Sequence, residues 1–267
     1  MIKKQAPFRA IGIGMLALTL LAALLRSLAF ATSFDPAVGH FNPGVFSTLL
    51  YITIALALVG VMMYVLLARR SHIASPCCPD HADCPVVVTV CAWVVVLICT
   101  ATAALDLFDY LRGNASTFIL VRVVAAALSI SYFLFPSSAS VRVFGLAPHV
   151  YCILALIDEY MDPYVVMSSP LKVMQQFALI SFMLYLVMEL YAACALPRPI
   201  RATAFGLLAA FLCITNGLSC IVAGVIGGII PQDYLTVAVV SLAFGLYTAA
   251  RLHTATKRPN VNKTEDN

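Results

Sequence analysis

Four stretches of this chain, Val45–Leu67, Val86–Leu105, Ala202–Ile230 and Tyr234–Ala250, run for close to the thickness of a bilayer without one charged side chain. An apolar helix needs about 20 residues to cross a hydrocarbon core. Lipid offers nothing to a backbone amide, so a segment that crosses it must close its own hydrogen bonds as a helix or join a sealed barrel. These runs are too long and too continuous for barrel strands. The fold class they impose is all-α: a polytopic transmembrane helix bundle.

Four more segments read as spans with one interruption each. Ala10–Phe30 carries Arg26, Ser116–Phe135 carries Arg122, Val173–Leu196 carries Glu189, and Val141–Ile157 carries Pro148 and runs into Asp158 and Glu159. The expected count is eight helices, in a single transmembrane domain over residues 1–252 with a short polar tail at 253–267. Hydrophobic residues make up 62% of the chain and charged residues only 10%, against about 25% charged in a soluble domain, so no separate soluble domain is expected.

The basic residues set an orientation. With eight crossings, Lys3, Lys4, Arg9, Arg69, Arg70, Arg142, Arg198, Arg201, Arg251, Lys257, Arg258 and Lys263 fall on one side; Arg26, Arg112, Arg122 and Lys172 fall on or near the other. The positive-inside rule then places both termini in the cytoplasm. Lys3, Lys4 and Arg9, an apolar run and Ala29-Phe30-Ala31 imitate a cleavable signal peptide, but Arg26 is awkward beside such a cleavage site, and a retained first helix is expected.

Polar groups inside spans carry the functional signal, because an ionisable side chain at the bilayer centre costs about 2.5–3.5 kcal/mol on the milder scale. Arg26, near the end of the first helix, is expected to snorkel to the headgroups. Arg122 lies deeper and needs a partner, which the short connection DYLRGNA offers in Asp106. ILALIDEYMDPY sets Asp158 and Asp162 one turn apart on one face, with Glu159 between them, and two such carboxylates repel unless a cation or proton intervenes. Glu189 is the other buried acid, with Arg198 or Arg201 in reach. In CITNGLSC the seventh span brings Thr215, Asn216 and Ser219 together, and Gly217 is a place for the helix to loosen. The candidate ligand-binding residues are therefore Asp106, Arg122, Asp158, Glu159, Asp162 and Asn216.

Other motifs give less. Six cysteines scattered in spans behave as small hydrophobes. The loop SHIASPCCPDHADC gathers Cys77, Cys78, His81 and Cys84, whose spacing is not that of a standard zinc site, and no metal or cofactor is expected. No phosphate loop, zinc-protease motif or nucleophile elbow occurs, so no catalytic residue is assigned. SFDPAVGHFNPG, between the first two spans, is turn chemistry. YMDPYVV echoes it after 127 residues, which would suit parallel halves of four helices.

MSSPLKVMQQFALISFMLYLVMELYA, residues 167–192, together with the Phe-Asp-Pro connector, resembles uncharacterised multi-pass membrane proteins of Gram-positive anaerobic bacteria. The resemblance implies the bacterial cytoplasmic membrane and carries no activity. The expected function is a permease-like or solute-binding membrane component; the alternative is a sensor or assembly subunit that binds a protein partner. The expected partners are the lipid bilayer and another membrane or cytoplasmic subunit, and nucleic acid is not among them.

Overall fold

The computed structural model describes residues 6–35, 40–70, 86–113, 118–134, 138–161, 169–194, 196, 198–227 and 232–257. Among them the chain is almost wholly helical: α1 (Ala6–Ser33), α2 (Val45–Arg70), α3 (Val86–Leu111), α4 (Phe118–Leu134), α5 (Ser138–Phe144), α6 (Ala147–Met161), α7 (Pro170–Ala193), α8 (Pro199–Gly227) and α9 (Gln232–Lys257). Seven spans are long and apolar enough to cross a membrane, with α5 and α6 contributing one of them over Val141–Met161; α4 is a shorter apolar helix.

The break between α5 and α6 follows from Pro148. Its ring would clash with the carbonyl four residues back and it has no N–H to donate, so the chain turns at Gly145–Leu146 and restarts with Pro148 in the first turn of α6, where a missing donor is harmless. At the head of α7, Pro170 takes the first helical position and the Ser169 hydroxyl accepts from the Leu171 amide at 3.3 Å. Gly113 closes α3 in the left-handed region at φ 76°, a conformation a side chain would resist. The polar tail expected from residue 253 is partly helical, since α9 runs on to Lys257.

The helices alternate in direction, and side-chain contacts at both ends of α4 show it. Arg122, in its first turns, meets Asp106 near the end of α3 and Asp158 near the end of α6. Tyr132, in its last turn, meets Glu189 near the end of α7. Short as it is, α4 therefore links the two ends of the bundle. The start of α1 and the end of α9 lie at the same end, called here the terminal end; the other is the distal end.

α8 is the central helix, packed on α1, α2, α7 and α9, while α2 is the least covered. The faces are inverted relative to a soluble protein. Leu49, Ile52, Leu56, Val59, Met63 and Leu66 form an exposed stripe on α2, while Ser47 and Thr53 point inward. Many inward hydroxyls donate to carbonyls of their own helices, as in Thr53 to Leu49 O at 2.8 Å and Thr248 to Phe244 O at 2.8 Å. The core holds an aromatic column in which Phe244 stacks on Phe182 at 4.1 Å and meets Phe133 and Tyr151.

Gly217 is a packing residue and not a point of loosening: α8 is continuous there, and a Cβ would stand 2.6 Å from Ala238 O and from Leu242 Cβ. Gly245 on α9 matches the close approach from its own side, with a Cβ position 2.7 Å from Ile214 Cγ1. SFDPAVGHFNPG is more than a turn. Phe34–Asp35 and His40–Phe41 pair antiparallel, and Phe34 and Phe41 close on Phe30 with centroids 5.1 and 5.0 Å away, capping the distal end of α1.

Candidate functional site

Among the described residues, buried and half-buried charges gather around Arg122, Glu189 and Arg26. The first is the pair to which the sequence points. Arg122 donates through Nε to Asp106 Oδ2 at 2.8 Å and through Nη2 to Asp106 Oδ1, a bidentate fork, and its Nη1 reaches Asp158 Oδ2. Arg122 and Asp106 are mostly covered, while the Asp158 side chain is 46% exposed. This cluster ties the distal ends of α3, α4 and α6. One arginine between two carboxylates is a saturated cation, and a clamp rather than a vacant site.

The second lies at the terminal end. Glu189 accepts from Tyr185 Oη at 2.7 Å and Arg251 Nε at 2.9 Å on one oxygen, and from Tyr132 Oη and Tyr247 Oη, the latter at 3.4 Å, on the other. Glu189 is 4% exposed and Arg251 2%. The sequence points to Arg198 or Arg201 as the partner of this acid. Both are exposed instead, because α9 packs on α7 and brings Arg251 inward. The residues carry a faint signal of the true arrangement, since Tyr185 and Tyr247 each stand one turn before the charge they accompany.

The third cluster is the candidate site. Arg26 does not snorkel: it is 1% exposed, because its face of α1 packs on α8. Nη1 donates to Asn216 Oδ1 at 2.6 Å and to Ser219 Oγ at 3.2 Å, and Nη2 reaches Pro170 O at 3.4 Å. All three acceptors are neutral. The guanidinium lies 5.2 Å from the Phe30 ring, under the hairpin cap.

The two helices that Arg26 touches, α7 and α8, carry further buried polar groups. Asn216 Nδ2, Gln175 Oε1 and Thr215 Oγ1 are buried with no hydrogen-bond partner. Lys172, on α7 two residues beyond Pro170, is also buried. Glu159, on α6, is buried within electrostatic reach of Cys220, whose Sγ lies 3.8 Å from Asn216 Oδ1. Asn216 stands eleven residues before the last residue of α8, so about 16 Å inside that helix end at 1.5 Å per residue.

Of the six residues that the sequence nominates for ligand binding, the structure divides five. Asp106, Arg122 and Asp158 join one another, and Asn216 with Glu159 turns toward the region of Arg26. Asp162 lies outside the described residues, as do Cys77, Cys78, His81 and Cys84. Sequence reasoning missed Arg26 as a site residue, along with Gln175. No protein-family model matches this chain, and no curated protein or solved structure matches it.

Proposed function

We propose that this integral membrane protein is a permease-like, solute-binding component of a bacterial cytoplasmic membrane, with its site between α1, α7 and α8. The observation that carries the reading is the set of unsatisfied polar atoms on facing helices: Asn216 Nδ2, Gln175 Oε1 and Thr215 Oγ1. Each such group, left unmade in an apolar interior, costs about 1–3 kcal/mol. A scaffold that needed only packing would fill these positions with apolar side chains. A polar solute seated there supplies the missing partners.

The test is thermal unfolding of the purified chain in detergent against a panel of sugars, amino acids, carboxylates, ammonium compounds and nucleosides. A binding solute raises Tm progressively with concentration. In Gln175→Leu, which removes one of the unsatisfied acceptors and takes no partner from Arg26, the chain should fold and the shift should weaken. A panel without one concentration-dependent shift would end the solute reading and favour a sensor or assembly subunit.

The same reading places both termini in the cytoplasm, on the strength of the basic residues and the alternation of helices. Reporter fusions after Gly44 and Pro231 are expected to report the outside, and fusions after Arg70 and Asn267 the inside. An outward C-terminus would reverse the orientation, and with it the side from which Arg26 is approached.

A further inference from the structure

We infer that the solute is an anion presenting a single planar carboxylate on an apolar body, and that Arg26 is its counter-charge; this rests on the solute-binding reading above. The chain makes the comparison itself. Three arginines reach into the bundle, and two of them hold a carboxylate: Arg122 grips Asp106 through Nε and Nη2, and Arg251 meets Glu189 through Nε at 2.9 Å. Arg26 is the most buried of the three, yet among the described residues no carboxylate stands within ion-pair distance of it.

Arginine does not escape this by losing its proton. Neutral oxygens from Asn216, Ser219 and Pro170 share the charge without cancelling it. The edge used by Arg122 to hold a carboxylate, Nε with Nη2, is at Arg26 occupied, among the described residues, by the 3.4 Å contact from Nη2 to Pro170 O. Asn216 offers a further unbonded donor, Nδ2, from the same amide whose oxygen already touches Nη1 at 2.6 Å. Parallel donors from a guanidinium edge match the two oxygens of a carboxylate.

Charge decides against a phosphate dianion: Arg26 and Lys172 against Glu159, all buried, leave one net positive charge in this region, which a dianion would exceed. The neighbouring side chains decide the rest of the molecule. Phe30, Leu171, Cys220 and Ala223, with Tyr234 and Ala238 of α9, form an apolar cluster at this end of the bundle, joined by Phe34 and Phe41 of the hairpin. A small monocarboxylate with an aliphatic or aromatic remainder fits both features.

The test compares benzoate and short-chain fatty carboxylates with their neutral amides, by thermal unfolding of the full chain in delipidated detergent. Benzoate or one of the aliphatic acids should raise Tm while its amide does not. Arg26→Gln should weaken that binding by about ten- to a hundred-fold, the worth of a charged hydrogen bond. If Arg26→Gln fails to fold, Asn216→Asp decides, because it sets a carboxylate oxygen where Oδ1 now sits against Nη1. That variant should unfold at a higher temperature than the parent without any ligand, and should no longer respond to benzoate. A lower Tm for Asn216→Asp would mean that Arg26 lacks no counter-charge, and would overturn the inference. So would an amide that works as well as its acid, or stabilisation by phosphatidylglycerol alone, which would make the occupant a lipid headgroup. A neutral solute whose shift depends on Asn216 but not on Arg26 would spare the solute site and end the anion assignment; no shift from any solute would end both.

Discussion

Arg251→Leu should be the most damaging single substitution within the bundle, costing about 3–5 kcal/mol and most of the folded yield. It takes from Glu189, which is 4% exposed, the guanidinium that donates to it at 2.9 Å, while the hydroxyls of Tyr132, Tyr185 and Tyr247 still reach the carboxylate. Hydroxyls solvate a carboxylate but do not neutralise it. Removing the acid as well, in Glu189→Leu with Arg251→Leu, should recover a large part of the loss, since the buried charge is then gone from both sides. Tyr247→Phe should cost about 1 kcal/mol, since it removes the hydroxyl that reaches Glu189 at 3.4 Å. Thermal unfolding in detergent reads these variants on one scale. An Arg251→Leu protein that unfolds at the parent temperature would show that the network does not hold α4, α7 and α9 together.

How much of this could be read from the residues depends on which physical rule governs each. The spans were legible because lipid leaves the backbone no choice but a helix, and uninterrupted apolar runs mark where that rule applies. The Arg122 and Asp106 pairing was legible because a short connection forces their helix ends together, so sequence distance stands in for distance in space. Arg26 was not. α1 is apolar all round, so its sequence does not say which face meets lipid and which meets α8.

The partner of Glu189 was hidden for a related reason. Arg251 is 62 residues away, and only the packing of α9 on α7 brings it close. The hairpin was half legible: the turn residues of SFDPAVGHFNPG announce a reversal, while the meeting of Phe34 and Phe41 over Phe30 depends on the register of the strands. The unsatisfied atoms of Asn216, Gln175 and Thr215 have no sequence signature, because the same residues would serve as ordinary glue between helices if their partners were present.

The second large effect is expected at the distal end, where Arg122→Leu should lower stability by roughly 2–3 kcal/mol. The figure stays below that for a fully buried pair because the side chains of Arg122 and Asp106 keep 13% and 15% exposure. Losing the guanidinium leaves Asp106 without its fork and Asp158 without its cation, with α3, α4 and α6 no longer tied. The two acids should respond differently. Asp106→Leu added to Arg122→Leu should restore part of the folded yield, since it removes the more buried of the two stranded carboxylates. Asp158→Asn in the parent should change stability by about 1 kcal/mol or less, because a side chain 46% exposed is hydrated whether or not the arginine reaches it. If the double variant is as poor as the two single losses added together, Arg122 and Asp106 are not coupled, and the distal ends of these helices are held by apolar packing instead. If Asp158→Asn proves as costly as Arg122→Leu, the weight of the clamp lies on the α4–α6 side, and Asp106 is the minor partner.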